Sequence, residues 1–573
     1  MVEFHRREDK PLWWAMFDRH AMTEEELSAD LNCLGGLRRT TAPPESIKQS
    51  VGFWYTFDPD QDTKLEVGSR CFFAHDLTAK TEIHRLDRDR GRLCLKFGRA
   101  KLKQLPDGMP PEHLSLIPDE QVPAKVIVAS ISETAKTWLE TKHLPPALAD
   151  FLLRRPPRIK RQDGGAIIPR DADPIAATVK AVAALDRSTL CIQGPPGSGK
   201  TTVAAHAILA LLQQGKRVGV TANSHAAILN VLSKCQELAQ GNLRCVKIGG
   251  SPDAPFFVAC RGATYAENLK AALPIIDRVP LIGGTAWVFS DQVLREKLDY
   301  LFIDEAGQVS VANLIGMAPA AHNLVLIGDQ MQLGQPTQGA HPDESGLSTL
   351  EYLLQEQATV SEERGIFLST TWRLHPRLCD FISGAVYENR LSPATQTRQR
   401  VVRVPPTARY VTREAGILFV PVAHEGNTQG SDEEVAVIRT LVDELLGREL
   451  TNTTGQVAGR LQLEDILFVA PYNLQVRKLA AALGSAARVG SVDKFQGQEA
   501  PVVILSMCAS QGEGSPRGIE FLLNKNRLNV ALSRAWSLAI VVANPALALT
   551  RCSSLAQMTL LNLFCRIVDE GGQ

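Results

Sequence analysis

The chain has 573 residues, 44% of them hydrophobic and 22% charged, with 62 basic side chains balanced by 62 acidic ones. That length suggests roughly three to five domains, each able to bury a core, and the composition excludes a disordered tail, a collagen-like repeat and a small disulfide scaffold. No apolar run approaches the roughly 20 residues that span a bilayer. The first residues, with Arg6, Arg7 and Lys10, hold no hydrophobic signal core. Eleven scattered cysteines without a C-x-x-C pair suit reduced thiols better than disulfides, zinc or an iron–sulfur cluster. A cytoplasmic enzyme or machine is expected; zero net charge leaves only local basic grooves for a polyanion.

In chain order, Trp13, Trp14 and Phe17 form an apolar cluster before Thr23-x-x-Glu26, which reads as the cap of a short helix. Residues 51–105 carry aromatics and alternation (Phe53–Phe57, Cys71–Ala74, Leu93–Phe97) between Asp, Gly and Lys turns, predicting a small antiparallel barrel or sheet. Asp58, Asp60, Asp62 and Lys64 superficially resemble a nuclease cluster but read as a turn. Arg154–Arg161 reads as a basic linker, either a solvated connector or a phosphate contact.

From about residue 170, short β-branched runs alternate with helical stretches, as in parallel sheets covered on both faces. The expected strands are Leu190–Gln193, Arg217–Ala222, Tyr300–Asp304 and Asn323–Gly328, then Ile417–Pro421, Asp465–Ala470, Val502–Met507 and Leu538–Ala543. A strandless stretch near 340–365 separates the sets, which implies two α/β domains in tandem. In the second, Ser431-x-x-Glu434 reads as a capping box for a helix whose Ile438, Leu441, Val442 and Leu445 share one face.

Gly194-Pro195-Pro196-Gly197-Ser198-Gly199-Lys200-Thr201 matches G-x-x-x-x-G-K-[ST] in full, between an apolar strand and a helix-forming segment that opens at Thr202. Glycines at 197 and 199 let backbone N–H groups turn inward as an anion nest, to which the helix N-terminus adds its dipole. Lys200 would place a charge on the β- and γ-phosphates, and the Thr201 hydroxyl would complete a Mg²⁺ shell. Leu301-Phe-Ile-Asp304-Glu305 ends another apolar strand. Asp304 is the expected second metal anchor, and Glu305 the base that deprotonates the attacking water. A GTPase reading fails, because Asn524-Lys525-Asn526-Arg527 lacks the acidic residue of N-K-x-D.

Further elements stand in order: Gly328-Asp329-Gln-Met-Gln332-Leu333, then Trp372-Arg373-Leu374-His375-Pro376 followed by Phe381 and Tyr387, and Pro471-Tyr472-Asn473-Leu474-Gln475. Val492-Asp493-Lys494-Phe495-Gln496-Gly497-Gln498-Glu499 and the segment Arg527 to Ala535 complete the set. Together they resemble superfamily 1 helicases, in particular the 5′→3′ branch (superfamily 1B) that includes the nonsense-mediated-decay helicase and the Okazaki-fragment nuclease–helicase. The sequence looks closest to the helicase half of bacterial fusions with a RecB-like nuclease.

That resemblance implies two tandem RecA-like P-loop NTPase domains behind an N-terminal small β-barrel and helical stalk. The expected bounds are 1–165 for stalk, barrel and linker, 166–345 for the first RecA-like domain (with a small helical insertion at about 228–282) and 346–573 for the second. By position in the family, Gln332 would sense the γ-phosphate and attacking water, while Arg373 and Arg534 would be arginine fingers. Trp372 would stack on the adenine, Glu499 bind the ribose, and Gly497 lie near the γ-phosphate. Thr221, Asn223, Ser224 and Thr285 in the first domain, and Tyr472, Asn473 and Ser491 in the second, would follow a nucleic-acid strand. Basic clusters at Arg154–Arg161 and Arg398–Arg403 are not counted in that track.

The family's glutamine about 17 residues before the P-loop is missing from Asp171-Ala-Asp-Pro-Ile-Ala-Ala-Thr-Val, which relaxes the expected base specificity. The implied activity is an ATP- and Mg²⁺-dependent, monomeric motor moving 5′→3′ on single-stranded DNA or RNA, with no membrane association. A separate partner nuclease is implied by resemblance alone. The alternative is an ATP-switched nucleic-acid-binding subunit that serves such a nuclease without processive unwinding.

Overall fold

The computed structural model describes residues 1–573 apart from 104, 106, 107, 163, 405, 406, 512–517 and 573. It divides into two compact units, Met1–Lys125 with Thr337–Gly346, and Val126–Pro336 with Leu347–Gln573. No described helix is long and apolar enough to cross a membrane.

The first unit opens with helices Phe4–Ala21 and Glu24–Ala29. Thr23 caps the second helix reciprocally: its hydroxyl accepts from Glu26 N–H, and the Glu26 carboxylate accepts from Thr23 N–H. Seven antiparallel strands follow, β1 (Leu34–Arg39), β2 (Glu45–Ile47), β3 (Ser50–Thr56), β4 (Arg70–Phe73), β5 (Asp76–Asp87), β6 (Arg92–Gly98) and β7 (His113–Pro118), in the order β1-β7-β4-β5-β6-β3-β2. Pairing of β1 with β3 (Arg38 opposite Thr56) closes the first six into a barrel. The expected barrel is thus present but begins earlier and ends later than residues 51–105. Its interior holds Leu37, Tyr55, Phe73, Ile83, Leu95, Phe97 and Leu116, with the Tyr55 hydroxyl donating to Pro111 O at 2.8 Å.

The Asp58–Lys64 cluster is the expected turn, Asp58 Oδ1 accepting from Asp60 N–H. Residues 337–346 join this unit because Glu8 accepts from the amides of Gln338 and Gly339 and pairs with His341 Nε2 at 2.5 Å.

In the second unit, β8 (Thr189–Gln193), β9 (Val218–Thr221), β10 (Cys245–Ile248), β11 (Ala263–Ala266), β12 (Leu281–Gly283), β13 (Leu298–Ile303), β14 (Ala321–Gly328) and β15 (Gly365–Phe367) form an all-parallel sheet in the order β11-β10-β12-β9-β13-β14-β8-β15. β8, β9 and β10 are buried along their whole length, as expected where helices cover both faces.

Residues 228–282 are not the expected helical insertion. Cys-Val-Lys-Ile (β10) and Ala-Thr-Tyr-Ala (β11) extend the sheet in parallel register, and helices alternate with them. β15 also belongs to this lobe, beyond the boundary expected at 345.

A two-strand pairing of β16 (Thr370–Thr371) with β17 (Ser392–Pro393) leads into the second lobe. There β18 (Gly416–Pro421), a side ribbon of β19 (Glu449–Thr451) and β20 (Val457–Arg460), β21 (Ile466–Val469), β22 (Arg488–Gly490), β23 (Ala500–Ser506) and β24 (Ala535–Ala543) occur, with a parallel sheet β18-β24-β23-β21-β22.

Ser431 caps the helix Asp432–Leu445 through Glu434 N–H, but the reciprocal half of the box is absent. The Glu434 carboxylate is fully buried. It accepts from Cys508 N–H at 3.0 Å and from the Ser506 hydroxyl at 2.5 Å, and pairs with His424 Nε2 at 3.1 Å. A loop with orphan donors has claimed the side chain that the helix end would have used.

Arg154–Arg161 is a pinned connector. Arg154 lies over the Tyr352 ring, 4.0 Å from its centroid, and Arg158 pairs at 2.7 Å with the buried Asp150.

Candidate functional site

The parallel strands of both lobes deliver their carboxyl ends to loops, where such sheets place ligands. β8 runs into Gly194–Gly199, and the helix Lys200–Gln213 leaves it. Gly197 and Gly199 stand at φ +73 and +82, the left-handed turns that aim successive N–H groups at one point. Lys200 Nζ donates to Gly194 O at 2.6 Å, and the Ser198 hydroxyl is buried with no partner among the described residues. Pro195 and Pro196 are buried and hold the loop, while Thr201 and Thr202 sit half-buried in the first helical turn.

β13 ends at Ile303, and the Asp304 N–H donates to Thr221 O at 2.8 Å, extending the ladder one residue. Burial, then the neighbouring Glu305 charge, raises the Asp304 pKa to about 7, opposed by Lys200. A buried carboxylate under the influence of Lys200, together with a hydroxyl in the first turn of the following helix, is a hard-oxygen donor set that suits Mg²⁺, and Thr201 and Asp304 are the residues that could hold it. Among the described residues no cluster of three or more His, Cys, Asp or Glu could hold a metal, so most of such a shell would be phosphate and water. Glu305 adopts φ +51, ψ +42, a left-handed conformation for a non-glycine residue; backbone strain of this kind concentrates at functional sites.

The second lobe meets this loop directly. Trp372 N–H donates to Gly197 O at 2.8 Å, and the Thr371 hydroxyl donates to Pro196 O at 2.9 Å. Arg373 follows, its Nε 2.5 Å from Glu499 and its Nη1 donating to Ser533 O at 3.3 Å. The element is anchored to its own lobe by His375 N–H donating to Trp536 O at 2.8 Å. His375 Nδ1 accepts from Arg377 N–H and caps the helix Pro376–Val386; burial, then Arg377, lowers its pKa to about 4, so the ring is neutral.

Arg534 closes the helix Lys525–Ser533 and is only 3% exposed. Its Nη1 donates to Gln498 O at 3.3 Å, and its Nε has no partner among the described residues. Burial, then the like charge of Arg373, lowers its pKa to about 10, with Glu305 and Glu499 opposing. Two guanidiniums therefore lie close enough to feel each other's charge, one carried by the element that packs on the phosphate loop and the other buried and incompletely paired. That is an environment an anion stabilises.

Trp372 is 54% exposed beside Gly197, its carbonyl held by Arg400 Nη1 at 3.1 Å. Glu499 is spoken for by Arg373 rather than standing apart as a ribose ligand. Gly497, at φ +77, borders open space. Gln332 Nε2 donates to Asp329 Oδ2 at 2.9 Å.

The expected nucleic-acid residues scatter in character. Thr221 is 1% exposed inside β9, and Tyr472 is buried with its ring 5.5 Å from that of Phe521. Neither presents a surface to a strand, because sheet and core packing have taken the side chain. Ser224 caps the helix His225–Leu238, and Asn223 Nδ2 donates to Gln308 O. Thr285 follows β12 without capping, Asn473 is exposed after β21, and Ser491 follows β22 half-buried. These last five share the carboxyl ends of the two sheets.

Sequence reasoning missed Gln193, which donates to Gln330 Oε1 and Ala358 O, and singled out Gln475 without a role, where its amide bridges Ser431 and Ser506. It also gave no role to Tyr387 and Asn529, which link the lobes. A polar residue ending an otherwise apolar strand was the available signal for Gln193.

Residues 176–345 match a family model described as an AAA domain, and residues 346–546 match a second one so described. The chain is 24% identical over 550 residues to the DNA replication ATP-dependent helicase/nuclease JHS1 of Arabidopsis thaliana, covering 89% of this chain and 39% of that protein. It is 25% identical over 406 residues to the DNA polymerase alpha-associated DNA helicase A of Schizosaccharomyces pombe (60% and 59%). A Drosophila melanogaster regulator of nonsense transcripts 1 homolog is 28% identical over 408 residues (63% and 33%). The chain thus spans less than two thirds of the length of each of these relatives.

Proposed function

We infer the chemistry from one premise, that the chain belongs to the superfamily 1B helicases of the nonsense-mediated-decay and Okazaki-fragment type. The reading that the geometry supports best is an ATP-hydrolysing motor that moves 5′→3′ on single-stranded DNA or RNA. One observation supports it: the Trp372-Arg373 element of the second lobe packs on the phosphate loop of the first, and the buried Arg534 feels the charges of both Arg373 and Glu305.

In this mechanism the Gly194–Gly199 amides and Lys200 hold the triphosphate. Glu305 takes the proton of the attacking water, and the Gln332 carbonyl orients that water. Arg373 and Arg534 neutralise charge on the transferring phosphoryl group, an effect typically worth about 10³–10⁵ in rate. Mg²⁺, held by Thr201 and Asp304, would screen the phosphate oxygens. Because both guanidiniums come from the second lobe, turnover requires the lobes to close, and closure supplies the stroke along the strand. Asn223, Ser224, Thr285, Asn473 and Ser491 are the proposed phosphate contacts of that strand, whereas Trp372 is the proposed stacking surface for the adenine of the bound nucleotide.

ATP turnover with and without single-stranded polynucleotide tests the motor; absence of stimulation would favour the ATP-switched clamp instead. A streptavidin block at either end of a labelled strand tests direction. Displacement only from the 3′ end supports 5′→3′ movement, and displacement only from the 5′ end contradicts it.

A further inference from the structure

Tyr387 lies at the end of the helix Pro376–Val386, wholly buried in the second lobe. Its hydroxyl donates across to Asp329 Oδ2 in the first lobe at 2.6 Å and accepts from Asn529 Nδ2 at 2.9 Å. Asn529 Nδ2 also donates to Met331 O at 2.7 Å. It belongs to the helix that ends at Arg534.

On the first-lobe side the same Asp329 Oδ2 accepts from Gln332 Nε2 at 2.9 Å, while Oδ1 accepts from Met331 N–H at 3.2 Å. One carboxylate oxygen thus holds two donors at once, one from each lobe. The Gln332 amide is fixed through the oxygen that Tyr387 also grips.

We propose that Tyr387 is a positioning residue that couples lobe closure to hydrolysis, its hydroxyl locking the Asp329 carboxylate so that Gln332 presents its carbonyl oxygen to the attacking water. When the lobes part, Asp329 Oδ2 loses the Tyr387 donor while Oδ1 stays held by Met331 N–H and Gln193 Nε2, so the carboxylate can pivot about Oδ1 and Gln332 loses its fixed orientation. Arg534 and the Tyr387–Asn529 pair arrive together, because Asn529 and Arg534 ride on one helix. The inference rests on the reading of the site as an ATPase.

The test is a double-mutant cycle between Tyr387→Phe and Gln332→Ala, measured as ATP turnover in saturating single-stranded polynucleotide. Tyr387→Phe is expected to lower kcat about tenfold with KM for ATP within about twofold of wild type, since a transition-state interaction and not ground-state binding is lost. Asn529→Ala, which frees the Tyr387 hydroxyl from its other side, is expected to lower kcat in the same sense while leaving the aromatic pocket filled. In the Gln332→Ala background, Tyr387→Phe is expected to change kcat by less than about twofold, because its target is already gone. Full multiplicativity of the two substitutions, or wild-type kcat in Tyr387→Phe, overturns the coupling while leaving the ATPase reading intact. A wild-type protein without ATP turnover overturns that reading itself, and this inference with it.

Discussion

The contact between Gly197 and the Trp372-Arg373 element offers a quantitative perturbation. In Gly197→Ala the new methyl would stand 2.4 Å from Arg373 Cβ and 2.7 Å from Thr371 Oγ1, where carbon atoms ordinarily stay about 3.5–4.0 Å apart. The second-lobe strand must therefore retreat by about 1 Å. Retreat breaks the Trp372-to-Gly197 and Thr371-to-Pro196 hydrogen bonds, each worth about 1 kcal/mol. The left-handed φ of +73 costs a residue with a Cβ about 1–2 kcal/mol, but that strain sits in the loop whether the lobes are open or closed and does not weigh on closure. Closure then becomes about 2 kcal/mol less favourable, and kcat falls by roughly thirtyfold if only the closed form hydrolyses ATP.

The assay is steady-state ATP turnover with saturating single-stranded polynucleotide, paired with binding of a fluorescent nucleotide. Binding should remain within about tenfold, since the methyl faces Arg373 and not the N–H nest. Gly215→Ala, at a closely similar positive φ (+74) but facing open space, bears conformational strain alone and leaves turnover unchanged. Turnover by Gly197→Ala within about twofold of wild type would refute the argument that hydrolysis needs this lobe-to-loop contact.

Lys200→Ala is expected to lose tight nucleotide binding, whereas Glu305→Gln keeps binding and loses turnover; normal hydrolysis by Glu305→Gln would remove Glu305 as the base. Glu434→Ala strands the buried donors of Cys508, Ser506 and His424. At about 1–3 kcal/mol per orphaned donor, we expect a loss of about 3 kcal/mol or more in urea denaturation, and a loss below about 1 kcal/mol would show that the network carries no stability.

Lys247 is buried beside His225, its Nζ donating to Ile248 O and Gly249 O, and burial lowers its pKa to about 8. The unfolded lysine keeps its proton to about pH 10.4, so between these values the unfolded chain binds the extra proton and stability rises with pH. The stability of wild type relative to Lys247→Met should therefore grow from about pH 7.5 to about pH 9.5, and a flat difference would contradict the burial of a charged amine.

The phosphate-loop half of the candidate site was legible as a local pattern. The phosphate loop needs its glycines and lysine within eight consecutive positions, and Asp304-Glu305 follows an apolar strand directly. The long buried strands were legible as apolar runs. What escaped was settled by partners remote in sequence. Glu434 has the spacing of a capping box, yet the loop at 506–508 claims its carboxylate. β10, β11 and β15 are only three or four residues long and take their conformation from neighbouring strands. Tyr472 sits where a strand contact was expected, and packing against Phe521 buries its ring. The Asp329–Tyr387–Asn529 bridge joins residues up to 200 positions apart that no local pattern connects.

Side-by-side measurement of turnover and nucleotide binding in Arg534→Ala tests the central claim most directly. If transition-state charge is neutralised by a guanidinium delivered from the second lobe, polynucleotide-stimulated turnover falls by about 10³-fold or more while nucleotide binding stays within about tenfold. Turnover within about tenfold of wild type would put that charge elsewhere and contradict hydrolysis by lobe closure.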